Sequence, residues 1–166
     1  MRTLLIAGVG ACALAVAIAA PAAAAASRNI SATVAEPGGG SRAVTYDTAA
    51  APTGAQLSVK ITQDASTVVA LEVDGLLPDH DYAAHAHVNP CGATAADAGA
   101  HFQNAAVDAD APNEVRLVLH TDAAGDGQAE TEVPFVFSAS RTPGSIVVHD
   151  GGDDGARVAC LTLSSS

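Results

Sequence analysis

Six histidines punctuate this chain of 166 residues, and two of them stand two apart in Ala84-His85-Ala86-His87-Val88-Asn89-Pro90-Cys91. On a β-strand successive side chains alternate faces, so His85 and His87 share a face, about 7 Å apart along the chain. Two imidazoles on one face can clamp a metal ion. A His-x-His pair alone fits structural histidines at least as well, so the signal gains weight only from the residues further along the chain. His101 lies in the glycine-containing loop Gly99-Ala100-His101-Phe102, His149 ends the run Ser145-Ile146-Val147-Val148, and Arg157-Val158-Ala159-Cys160 closes the chain. His80 sits in the turn Pro78-Asp79-His80-Asp81 and reads as an exposed turn residue. His120 ends an apolar run and reads as a strand-end residue.

These side chains need short strands to carry them. Gln56 to Thr62 alternates polar and apolar residues, and Val69, Leu71 and Val73 repeat the alternation after the break Asp64-Ala65-Ser66. Ile30 and Val34, then Val44 and Tyr46, suggest two earlier strands across Pro37-Gly38-Gly39-Gly40. Val115 to Leu119 and Ala129 to Phe135 flank the turn Asp122 to Gly127, and Ser145 to His149 and Arg157 to Leu163 supply the last strands. No helical period of useful length follows the first 26 residues. About eight short strands with regular turns predict one all-β domain, an antiparallel sandwich or barrel. Residues 27 to about 40 read as a loosely ordered lead-in.

The start of the chain speaks to its compartment. Met1 and Arg2 give a positive start, Leu4 to Ala20 is nearly all apolar, and Pro21 with Ala22 to Ala26 supplies small residues for cleavage. That order predicts a signal peptide over residues 1–26 and a mature domain over 27–166, secreted or held in the cell envelope, with no membrane span after cleavage. A lipoprotein reading at Cys12 is weaker, because the residues after it stay apolar. Cleavage would remove Cys12 and leave Cys91 and Cys160, which an exported protein most simply joins in a disulfide. All 18 acidic residues lie after the segment, and the whole chain carries a net charge of −11, which excludes nucleic acid as a partner.

The order His-x-His, Cys, Gly-x-His-Phe, Val-Val-His, Arg-x-x-Cys resembles that of the Cu,Zn superoxide dismutases over roughly residues 68 to 163. The resemblance implies an eight-stranded Greek-key β-barrel or sandwich of immunoglobulin-like architecture. It implies copper ligands at His85, His87, His101 and His149, with His101 in the place of the histidine that bridges to zinc. It also implies the disulfide Cys91–Cys160, an arginine beside the copper at Arg157, and superoxide as substrate. His101 would carry a proton toward the product. The residues themselves agree with copper: four imidazoles without a thiolate suit it in both oxidation states, and it tops the divalent affinity order at nitrogen sites.

Two departures bear on zinc. No histidine lies between His101 and His120, and Asp108, Asp110 and Glu114 are the acidic residues available there. Only Asp150 to Ala156, a short glycine-rich and acidic stretch, separates His149 from Arg157. Both features resemble a copper-only branch of the family, from which zinc and a long charged loop are absent. A carboxylate must then accept the second ring N–H of His101, and Glu114, the last acidic residue before the next strand, is the candidate. Arg157 would offset the acidic surface locally for an anionic substrate, unless it pairs with Asp150, Asp153 or Asp154. Tyr82 and Phe102 are expected to pack around the site or under the loop, outside the chemistry. Two other functions stay open: a β-sandwich that holds or delivers copper without turnover, and a metal-free extracellular module.

Overall fold

A computed structural model describes residues 25–104, 113–152 and 155–164. Residues 1–24 of the expected signal segment, Asp108, Asp110, Asp153 and Asp154 lie outside the described residues. Nine strands form one sheet: β1 (Ala26–Ala35), β2 (Ala43–Thr45), β3 (Gln56–Gln63), β4 (Thr67–Asp74), β5 (Asp81–His87), β6 (Arg116–His120), β7 (Gly127–Val133), β8 (Ser145–Asp150) and β9 (Arg157–Thr162). Among the described residues a 3-10 turn, Ala95–Ala98, lies between β5 and β6. The strand order is β6-β5-β8-β9-β2-β1-β3-β4-β7. The two edge strands, β6 and β7, lie side by side in space, so the sheet is a nearly closed all-β barrel.

Alternation sorts the side chains. In β3, Leu57, Val59 and Ile61 point into the barrel, and Val69, Leu71 and Val73 of β4 meet them there. Each such side chain removed from water contributes about 1.5–3 kcal/mol, so this interior holds the wall shut. Two expectations differ from the structure. The strand count is nine, because the His-x-His segment forms a full strand, Asp81–His87, beside the eight runs read from the sequence; the short run at Val44 is the strand Ala43–Thr45, parallel to β1 and antiparallel to β9. The stretch expected to be a loose lead-in is instead the ten-residue strand β1, paired along its length with β3 from Ala26↔Gln63 to Thr33↔Gln56. Its small, polar residues hide the pattern, and only Ile30 and Val34 within it are buried.

The wall has a second, smaller apolar cluster on its outer face. Val44, Val147 and Cys160 pack there with Ala98 of the 3-10 turn, and Tyr46 and Cys91 cover them. The Cys91–Cys160 disulfide, bridging residues 69 apart in sequence, fastens the same loop to β9. Closing a loop of that length stabilises by roughly 4 kcal/mol in the chain-entropy account. The loop from Val88 to His101 is thereby laid over the outside of β5, β8 and β9.

Candidate metal centre

Strand β5 is buried along both faces. Tyr82, Ala84 and Ala86 face the barrel core, which leaves His85 and His87 on the outer face. Tyr82, expected near the site, therefore points away from it, and its hydroxyl donates to Ala50 O at 2.6 Å. Across the β5–β8 ladder Ile146 and Val148 also face the core, so His149 joins the two histidines outside. His101 arrives from the overlying loop: it bridges to His87, while Val88 N–H donates to Ala100 O and Phe102 N–H to Ala86 O. Phe102 itself is buried in the core against Phe137. Distant points of the chain thus deliver four imidazoles to one patch of wall.

Main-chain carbonyls set the orientation of two of these rings. His87 Nδ1 lies 3.0 Å from Gly99 O, and His149 Nδ1 lies 3.0 Å from Gly155 O. A carbonyl only accepts, so each Nδ1 carries the proton and each Nε2 presents a lone pair. Those two Nε2 atoms face each other at 3.3 Å. Two lone pairs so placed call for a shared electrophile. Metal–imidazole bonds of about 2.0–2.1 Å meeting at a tetrahedral angle would hold two nitrogens about 3.3 Å apart. The ligand atoms of His87, His101 and His149 all lie within 4.8 Å of one another. The residues present fit a transition-metal ion.

His85 stands differently. It stacks on His101 with centroids 4.2 Å apart and planes only 11° from parallel, and it groups with His101 and Glu114 rather than with the other two. One ion cannot lie in the planes of both stacked rings, so the four nitrogens form a group of three with His85 alongside. Turning one ring is the step that would bring His85 to the same ion; its centroid is already 5.2 Å from that of His149.

Electrostatics keeps these rings in their ligating form. Burial, followed by the nearby His101, His149 and Arg116, pushes the pKa of His85 down to about 4. Burial likewise lowers His87 to about 4, helped by the charge of Arg157 and opposed by the Gly99 carbonyl. Both are neutral bases at neutral pH. Glu114 Oε2 lies 3.3 Å from His101 Nδ1. Burial alone would raise the Glu114 pKa, but hydrogen bonds from Gln103 and His101 outweigh it and leave a net lowering. Arg157 lies opposite His149 in the β8–β9 ladder, beside a bulge, and donates from Nη1 to Ala95 O at 2.8 Å. Among the described residues it makes no ion pair with Asp150, which His80 contacts instead.

His85, His87 and His149 are nearly sealed, at 1%, 0% and 3% exposure, whereas the side chain of His101 is 28% exposed. It opens onto a groove of about 450 Å³ lined also by Val88, Gln103, Ser140 and Arg141. His120 stays outside the cluster, its Nδ1 2.7 Å from Asp81 Oδ1 at the surface. Sequence reasoning passed over Gly99 and Gly155. At each a Cβ would clash: with Val88 Cγ2 at 2.7 Å for Gly99, which also adopts φ +76°, and with the Asp150 carbonyl oxygen at 1.8 Å for Gly155. Only glycine brings those carbonyls so close to the rings. Their signal was a glycine beside each ligand-bearing segment.

No family model matches the chain, and no curated protein matches it. Solved structures do. The Cu/Zn superoxide dismutase from Brucella abortus superposes with a TM-score of 0.56 at 19% identity, over 82% of this chain and 100% of that one. The chain has the superoxide dismutase fold. A SOD-like protein from Bacillus subtilis, solved as a double mutant, superposes with a TM-score of 0.51 at 18% identity, over 66% of this chain and 89% of that one. The barrel, the disulfide and a histidine-rich candidate metal site are the structural ground on which a function can be argued. Among the described residues no helix is long and apolar enough to cross a membrane.

Proposed function

We propose that this chain is an exported, copper-dependent superoxide dismutase that works without zinc. The observation that carries the reading is the pair of Nε2 lone pairs of His87 and His149 facing each other at 3.3 Å, with His101 completing a set within 4.8 Å. An all-imidazole set favours copper over the other divalent metals. Bound copper would supply a one-electron acceptor and donor, so that two superoxide ions and two protons become dioxygen and hydrogen peroxide.

The chain's own residues do the rest. His87 and His149, fixed from behind by the Gly99 and Gly155 carbonyls, would hold the ion, and His85 would join them on turning its ring. His101 is held at Nδ1 by Glu114, so its Nε2 takes up a proton and passes it to the product. In this reading Glu114 steers His101 in place of zinc. Arg157, opposite His149, draws the anion toward the site against a net charge of −11. The groove beside His101 gives small oxygen species their way in.

The test is metal content after refolding with copper, zinc or both, followed by superoxide consumption. One copper per chain, with rapid consumption that falls at least ~100-fold in His149→Ala, is the expected result. Copper that binds tightly while superoxide is consumed no faster than by buffer overturns the enzymatic reading. That result would leave a copper-holding protein, a second reading that the burial of His85, His87 and His149 favours.

A further inference from the structure

The carboxylate that faces His101 is itself held. Gln103 Nε2 donates to Glu114 Oε1 at 2.9 Å, while Glu114 Oε2 faces His101 Nδ1 at 3.3 Å. One oxygen of the carboxylate is thus taken by Gln103, and the other is left for the imidazole. The Gln103 backbone is fixed as well, since Arg141 Nε donates to Gln103 O at 2.9 Å. Asn104 N–H donates to Asn113 O at 2.9 Å, next to Gln103 and Glu114. A glutamate side chain has several rotamers, and a second hydrogen bond, from the Gln103 amide, narrows the choice.

We propose that Gln103 is a positioning residue for the metal centre: its amide aims Glu114, and Glu114 in turn keeps the His101 proton on Nδ1 and the lone pair of Nε2 directed at His87 and His149. Arg141 serves the same end through the main chain, by holding the turn that presents Gln103. The inference rests on the reading of His101 as a ligand steered by Glu114.

Nitrogen-15 NMR of the histidine rings in the metal-free, full-length protein reads the tautomer of His101 directly, without copper or turnover. Gln103→Met keeps the size of the side chain and removes the donor. Gln103→Lys keeps an N–H donor of similar reach. Gln103→Met should lower the Nδ1–H to Nε2–H ratio at His101 about fivefold, the change expected on loosening one hydrogen bond to a charged group. Gln103→Lys should restore the ratio of the parent protein, and the copper(II) EPR spectrum of each loaded variant should show the same order. Glu114→Gln separates the role of the carboxylate from that of the amide. If it alters the ratio while Gln103→Met does not, Gln103 has no positioning role and the steering by Glu114 stands. If neither changes the ratio, both fail. Equal losses in Gln103→Met and Gln103→Lys, with unchanged thermal melting, would also overturn the proposal, because the donor would then not be what matters.

Discussion

Substituting Gly155 by alanine tests whether main-chain carbonyls set the metal site. A Cβ at this position would stand 1.8 Å from the Asp150 carbonyl oxygen and 2.8 Å from its carbon, so the backbone must shift by about 1 Å to reach even a tight 3.0 Å contact. Gly155 O now lies 3.0 Å from His149 Nδ1, near the middle of the hydrogen-bonding range. A shift of that size takes it to or past the limit. The bond lost is worth about 0.5–1.5 kcal/mol, and the freed ring can rotate or change tautomer. Loss of a partner behind a ligating histidine commonly costs about 10–100-fold in metal affinity. Copper competition titration of Gly155→Ala should therefore show a drop in that range. Gly152→Ala is the control: it lies in the same short loop, and a Cβ there meets nothing within 4 Å. Affinity within twofold of the parent protein in Gly155→Ala would refute the account, since His149 would then hold its direction without the carbonyl.

The same geometry sets the response to pH and to salt. His85 and His87, held near pKa 4 in the folded chain, return toward 6.5 on unfolding, so between those values the unfolded chain binds more protons. Stability of the metal-free protein should be fully present above about pH 6.5 and lost as pH falls toward 4, by at most about 3 kcal/mol per ring, and urea melts across that window read it. Arg157→Ala should slow superoxide consumption by roughly tenfold and make the rate rise with added salt, because the remaining acidic surface repels the anion, whereas Arg157→Lys should keep most of the rate; equal rates and salt slopes in all three proteins would remove Arg157 from the steering role.

Much of the barrel was legible in the sequence, and the exceptions have physical causes. β3 and β4 declared themselves because one face of each is buried and the other wet, which writes period two into Leu57, Val59, Ile61 and Val69, Leu71, Val73. β1 declared itself only in part: Ile30 and Val34 marked a strand, but its other residues face mostly solvent and its full length comes from pairing with β3. The histidines and cysteines stood out because few residue types can do their chemistry, and the structure gathers His87, His101 and His149 and joins Cys91 to Cys160. The stacking of His85 on His101 could not be read in advance, because strand alternation assigns a face and not a ring plane. Gly99, Gly155 and Gln103 were missed for a related reason: each acts through a hydrogen bond to a residue distant in sequence or shape, and glycine is written the same way whether it turns a loop or yields space to a ring.

Hydrogen bonds of this kind are what would let such a site stand without zinc. A second metal would fix a bridging histidine by a bond; here every fixed ring nitrogen faces an oxygen of the chain, Gly99 O for His87, Gly155 O for His149 and Glu114 Oε2 for His101. Two of those oxygens belong to the main chain, so they cost no side-chain entropy to hold in place; Gly99 follows Ala98 of the outer apolar cluster, and Gly155 N–H donates to Gly152 O at 2.9 Å. The third belongs to a side chain and is the one that needs help, which is where the Gln103 amide enters. The order of sensitivity should follow the order of rigidity: the rings backed by carbonyls keep their tautomers in the metal-free protein, and the His101 ring, more exposed and backed by a carboxylate, is the first to lose its own. A metal-free protein in which His87 and His149 sample both tautomers while His101 stays fixed would reverse that order, and with it the assignment of which oxygens organise the centre.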